Sequence, residues 1–192
     1  MKSTLSANEM FADYSSRLQE VLAATDWTTV AILAADLQLC WQEGRRVFLC
    51  GNGGSAGNSI HLANDFLYGI AKRRGGGLKV ISLADNPAVI TCLANDLGYE
   101  YIYSEQLAVQ AQKGDLLIAL SGSGNSPNII HAIQQAKTMG VKSYALLGFS
   151  GGICKQFADV PIHFPVNDMQ IAEDLQMIVG HMLMQWLYAN RL

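Results

Sequence analysis

Five short apolar runs alternate with stretches of helical period between residues 46 and 166, and that alternation constrains the fold most strongly. The runs are "RVFLCG" (46–51), "LKVISLA" (78–84), "DLLIALSG" (115–122), "SYALLGF" (143–149) and "VPIHFPV" (160–166). They are near-continuously apolar, as strands covered on both faces must be. Helices are expected between them, near 55–70, 87–112, 125–139 and 152–158, with a last one from about 169 to 190. The pattern predicts an α/β fold in which a mainly parallel sheet lies between helical layers. Such sheets bind ligands beyond the carboxyl ends of their strands.

Two helices are expected before the first strand. Met10, Phe11, Tyr14, Leu18, Val21 and Leu22 recur at helical spacing over 7–24, and Asp26 can cap a second helix that runs to about Gln42 and stops before Gly44. These helices (1–44) form an N-terminal arm on an α/β core (45–192). No repeat or linker divides the 192 residues, so a single domain is expected. Half the residues are apolar and 15% are charged, which excludes a disordered chain. A net charge of −3 gives no footprint for nucleic acid. The basic run Lys72-Arg73-Arg74, before Gly75-Gly76-Gly77, reads as a solvated loop. Cys40, Cys50, Cys92 and Cys154 lack metal-site spacing and read as buried, reduced thiols. The opening "MKSTLSANEM" has no apolar signal core and no run is long enough to span a bilayer, so a cytoplasmic protein without membrane partners is expected.

Two of the expected strands end in the same chemistry. The first runs into Gly51-Asn52-Gly53-Gly54-Ser55 and the third into Ser121-Gly122-Ser123-Gly124-Asn125-Ser126, each followed by a helix. Unpaired N–H groups at a helix start favour an anion, glycine lets the backbone approach it, and serine hydroxyls donate to it. A capped turn uses the same residue types, but two such loops on one sheet point to a phosphate monoester. No G-x-x-x-x-G-K-[ST] is present, which rules out a P-loop. Gly51-x-Gly53-x-x-Ala56 meets the relaxed dinucleotide fingerprint, yet Asp85 lies too far along for a ribose-binding acid. On the helix leaving the first loop, His61 and Asp65 stand at i and i+4, hence on one face.

"GNGGSAGNSIHLANDF" (51–66), "NPAVITCLANDLGYEYIYSEQL" (86–107) and "LIALSGSGNSPNII" (117–130) together resemble the sugar isomerase (SIS) fold, and more narrowly the phosphoheptose isomerases. The resemblance covers nearly the whole chain. It implies a three-layer, flavodoxin-like sandwich with a five-stranded parallel sheet, and a homotetramer with active sites at subunit interfaces. The reaction it implies converts sedoheptulose 7-phosphate to glycero-manno-heptose 7-phosphate through an enediol, on the way to bacterial surface-polysaccharide heptoses. It implies a phosphate on Ser121, Ser123 and Ser126 with Ser55, within the two loops that also carry Gly53, Gly54, Gly122 and Asn125. Sugar contacts fall on Asn52, Asp96 and Glu173, and the catalytic pair on Asp65 and His181. A zinc ion, one per site, would be held by His61, Asp65, Glu173 and His181.

Moving a proton between adjacent carbons needs one group at carbon and another at oxygen, and Asp65 and His181 are suitable types in either order. Glu173 and His181 are eight residues apart, a helical rise of ~12 Å with an offset of about 80°. Four ligands on one metal would therefore come from more than one subunit, with Asp174 as the substitute for Glu173. Asp65, Glu173 and Gly122 stand where the resembled enzymes usually carry Glu, Gln and Thr, which leaves another phosphoketose open as substrate. His131 and His163 are expected to be structural. The rival from a different class is a non-catalytic SIS-fold protein that binds a partner, as relatives that associate with the replication initiator do. A scaffold, however, has no physical need for His61, Asp65 and His181.

Overall fold

The computed structural model describes residues 6–73 and 75–190; Arg74 of the expected basic loop and the first five residues lie outside these. Five strands, β1 (Arg46–Gly51), β2 (Lys79–Ser82), β3 (Leu116–Ser121), β4 (Lys142–Leu147) and β5 (Val160–His163), form one sheet in the order β2-β1-β3-β4-β5. Every neighbouring pair is parallel. Alternate side chains of each strand enter opposite cores. Val47, Leu49, Leu116, Ile118 and Leu120 face one, and Phe48, Cys50, Leu117 and Ala119 face the other.

The first core is covered by α2 (Thr28–Glu43), α3 (Gly54–Asn64) and α8 (Met169–Ala189), through residues such as Leu33, Leu37, Leu62, Leu175 and Val179. The second is covered by α5 (Ser104–Gln110), α6 (Pro127–Met139) and the short α7 (Cys154–Phe157), with α4 (Pro87–Asp96) packed alongside. Each leucine buried in this way contributes roughly 1.5–3 kcal/mol. The expected three layers are present. Because β1 leads outward to β2 while β3 leads the other way, the crevice between the ends of β1 and β3 is the switch point of the sheet.

Three local expectations are corrected. The helical stretch expected over 87–112 splits into α4, a 3-10 turn at Tyr99–Tyr101 and α5, because Gly98 at φ 117° interrupts it. The fourth strand stops at Leu147 because Phe149 takes a positive φ of 46°. Cys92 is exposed on α4, whereas Cys40, Cys50 and Cys154 are buried free thiols.

The arm begins with α1 (Ala7–Ala24), capped by a reciprocal Ser6–Glu9 box and without a single buried residue. Asp26 accepts from the Thr28 amide at the start of α2, which ends at Gly44 as expected. Polar bonds tie α1 to the start of α8: Tyr14 donates to Asp174 Oδ2 at 2.5 Å, and Arg17 bonds Asp168 Oδ2 at 2.5 Å. Asp168 also accepts from the Gln170 and Ile171 amides, so one carboxylate both caps α8 and holds the arm. Among the described residues, no helix is long and apolar enough to cross a membrane.

Candidate active site

The two glycine–serine loops meet at the switch point and line one cleft of ≈ 280 Å³. Asn52, Gly53, Gly54 and Ser55 form one wall, Ser121, Gly122, Ser123 and Ser126 another, and Met169 and Glu173 from α8 close it. In the second loop, Ser121 Oγ accepts from the Gly124 amide at 3.1 Å and Ser123 Oγ from the Asn125 amide at 3.3 Å. Ser126 is the N-cap of α6, and its hydroxyl makes no capping bond. The Asn125 amide oxygen instead accepts from the Ile153 N–H, so that side chain braces the loop from outside the cleft. Met169 lies against Gly122 and fills the volume a threonine side chain would take there.

The first loop is arranged differently. Glu173 Oε1 accepts from the Ser55 amide at 3.1 Å, placing a carboxylate on the N-terminus of α3. A Cβ on Gly54 would overlap that carboxylate, so glycine is what admits it. Ser55 is buried and its hydroxyl accepts from Gln176 Nε2 at 3.0 Å. Asn58 holds the turn above, donating to the Glu173 carbonyl and to Gln176 Oε1 at 3.0 Å each. Asn52 exchanges two 2.8 Å bonds with Asn128.

A second constellation stands farther along α3 and α8. His61 Nε2 is 3.3 Å from His181 Nε2 and 3.4 Å from Asp65 Oδ2, and His181 Nε2 is 3.6 Å from the same oxygen. The Asp65 amide bonds the His61 carbonyl, which sets the two side chains on one face of α3, and the helix then changes to a π turn at Asp65–Gly69, a feature frequent at functional sites. Asp65 is largely enclosed, at 16% side-chain exposure, while the imidazoles are half open at 53% and 50%. These separations fit the donor set of a tetrahedral ion with bonds of about 2.0–2.1 Å, whose edges are ~3.3–3.4 Å. Two imidazoles and one carboxylate suit zinc and leave a coordination position open.

Of the four ligands the resemblance implied, the structure brings His61, Asp65 and His181 together and puts Glu173 on the first loop. Asp174, the substitute, is bonded by Tyr14. Asp96 lies exposed at the end of α4, beside Cys92 and Asn95, and does not line the cleft. His131 stacks on Tyr101 and shares a hydrogen bond with the Glu100 carbonyl. His163 bonds the Phe149 carbonyl. Met169 and Asn128 escaped the sequence reading. Asn128, a polar residue in the first turn of an otherwise apolar helix face, carried the only signal of the two.

Residues 10–148 match the SIS domain family. A phosphoheptose isomerase of Chlorobaculum parvum is 35% identical over 175 residues, covering 90% of this chain and 83% of the relative. One from Fusobacterium nucleatum is 37% identical over 153 residues, covering 80% and 78%. Among solved structures, a phosphoheptose isomerase from Francisella tularensis superposes with a TM-score of 0.90 at 24% identity, over 96% of this chain and all of the other. One from Neisseria gonorrhoeae gives 0.86 at 23%, with the same coverage. These two superpositions speak for the fold.

Proposed function

The chain belongs to the SIS-domain family and, within it, to the phosphoheptose isomerases, and from that premise we propose that it interconverts sedoheptulose 7-phosphate and glycero-manno-heptose 7-phosphate. The carrying observation is the pairing of an uncharged hydroxyl-and-amide loop with a converged acid–base trio on adjoining helices. The Ser121–Ser126 loop takes the phosphate, since its donors satisfy the ester without a fixed counter-charge. Asn52, Gly53 and Gly54 flank the sugar.

At the far end, one member of the Asp65–His181 pair removes a proton from C1 of the ketose and, after exchange with solvent, delivers one to C2, while the other moves the proton between O1 and O2. Asp65 Oδ2 lies within 3.6 Å of the Nε2 of both imidazoles. A zinc ion held by His61, Asp65 and His181 would supply electrostatic stabilisation of the enediolate oxygens. A non-catalytic partner-binding role gives no reason for this convergence.

We further propose a homotetramer in which the cleft of one chain works with the trio of another. Cleft and trio sit at opposite ends of the Glu173–His181 span, a rise of about 12 Å. The helical segments that carry the trio also carry the exposed apolar side chains Ile60, Leu67, Tyr68, Met182 and Trp186, which a second copy would cover. As an enzyme of sugar-phosphate metabolism, the chain is assigned to the cytoplasm.

The test is a panel of five-, six- and seven-carbon ketose phosphates given to zinc-loaded protein, with aldose formation followed by NMR. Turnover that favours the seven-carbon substrate is expected; preference for a shorter ketose would replace the substrate, and absence of turnover on all three would defeat the reading.

A further inference from the structure

The cleft contains two helix N-termini, at the ends of adjacent strands about 4.8 Å apart, and they are used differently. At α6, Ser126 presents a hydroxyl without a capping partner. At α3, the chain has seated its own anion: the Glu173 carboxylate on the Ser55 amide and hydroxyl, at 3.1 and 3.4 Å. That carboxylate is held by construction. Gly54 makes room for it, Asn58 bonds the Glu173 carbonyl, and Asp168 and Arg17 fix the turn of α8 before it. A surface carboxylate that merely happened to reach the loop would need none of these.

We propose that Glu173 is a specificity-determining residue that sets the register of the substrate by filling the competing phosphate position. The inference rests on the phosphosugar reading above. With both N-termini open, a phosphate monoester has two seats one strand apart. The wrong seat displaces its reacting carbons by about 5 Å, more than the reach of a positioned acid–base pair. A carboxylate on α3 removes that seat by occupancy and by like-charge repulsion. Only the serine loop remains, and the distance from phosphate to carbonyl becomes fixed. Such a residue narrows the range of sugar lengths without touching the reacting atoms.

The test is calorimetric titration of the metal-free protein with inorganic phosphate, comparing wild type, Ser126→Asp, Glu173→Ala and the double variant. Ser126→Asp closes the serine loop with the device the chain uses on α3, and Asp is a good N-cap. Expected stoichiometries are one phosphate per chain for wild type, none for Ser126→Asp, two for Glu173→Ala and one for the double variant. Glu173→Gln retains an acceptor for the Ser55 amide and should stay at one, and Glu173→Ser should behave as Glu173→Ala. A double variant that binds no phosphate while wild type binds one would overturn the inference. Binding by Glu173→Ala but not by wild type would defeat the serine-loop reading and leave the role of Glu173 standing. In turnover, Glu173→Ala should lower kcat for the best substrate while narrowing its advantage over shorter ketose phosphates at least tenfold. Unchanged length preference would also count against the proposal.

Discussion

Gly180 of α8 lies so close to Leu62 of α3 that a Cβ on the glycine would overlap the leucine side chain. This one contact sets how near the two helices come, and with it the 3.3 Å approach of His181 to His61 at the adjoining position of each helix. Gly180→Ala is therefore predicted to cost about 1–3 kcal/mol through overpacking. Zinc affinity should fall as well, because the donors separate. Thermal unfolding and a zinc titration check both; a destabilised protein with unaltered zinc affinity would break the link between packing and site.

Zinc should bind once per chain, and substituting either imidazole should abolish stoichiometric binding. His61→Ala and His181→Ala remove donors from the trio, whereas Glu173→Gln changes a side chain that sits on Ser55 instead. Equal loss in all three variants would put Glu173 among the ligands and contradict the three-donor set.

If cleft and trio come from different copies, two inactive chains should rescue each other. Mixing Ser126→Asp chains with Asp65→Asn chains by unfolding and reassembly is expected to restore about a quarter of wild-type activity, from random assortment in a symmetric oligomer. Activity that stays at the level of the separate variants would place both halves of each site in one chain.

Two groups give the arm opposite dependences on pH. The hydrogen bond from Arg17 holds the Asp168 carboxyl below the usual carboxylate range, so its contribution is present above that range and is lost as pH falls through the lowered value. Burial, then the bond to Asp174, pushes the Tyr14 phenol up to about 12. Its contribution is complete below the ordinary value of 10.0 and is lost as pH rises towards 12. Proteolysis of α1 should accelerate at both extremes, and Tyr14→Phe should remove the alkaline limb only. An alkaline limb that persists in Tyr14→Phe would assign it to another group.

The sheet was legible because buried parallel strands leave runs such as 46–51 that no other element explains. Both loops were legible as turns into helices, since Gly, Ser and Asn after a strand mark a capped helix start, and it was their occurrence twice on one sheet that pointed to an anion. What escaped was tertiary. Tyr14 and Asp174 are 160 residues apart and Ser55 and Glu173 118, and neither pairing leaves a local trace. The sequence treats the two loops as equals. Only the fold reveals that one is closed by the chain itself. The π turn that begins at Asp65 was likewise invisible, because a one-residue insertion in helical hydrogen bonding has no periodic signature over five residues.

Proton transfer by Asp65 and His181 between neighbouring carbons of a ketose, with its phosphate on the serine loop, is the step we propose. It is tested most directly by NMR of sedoheptulose 7-phosphate incubated with the zinc-loaded protein in D2O. Solvent deuterium is predicted at C2 of the aldose product, with the rate falling by about 10²–10⁴ in Asp65→Asn. Deuterium entering at the wild-type rate in Asp65→Asn, or no aldose from the wild-type protein, would contradict it.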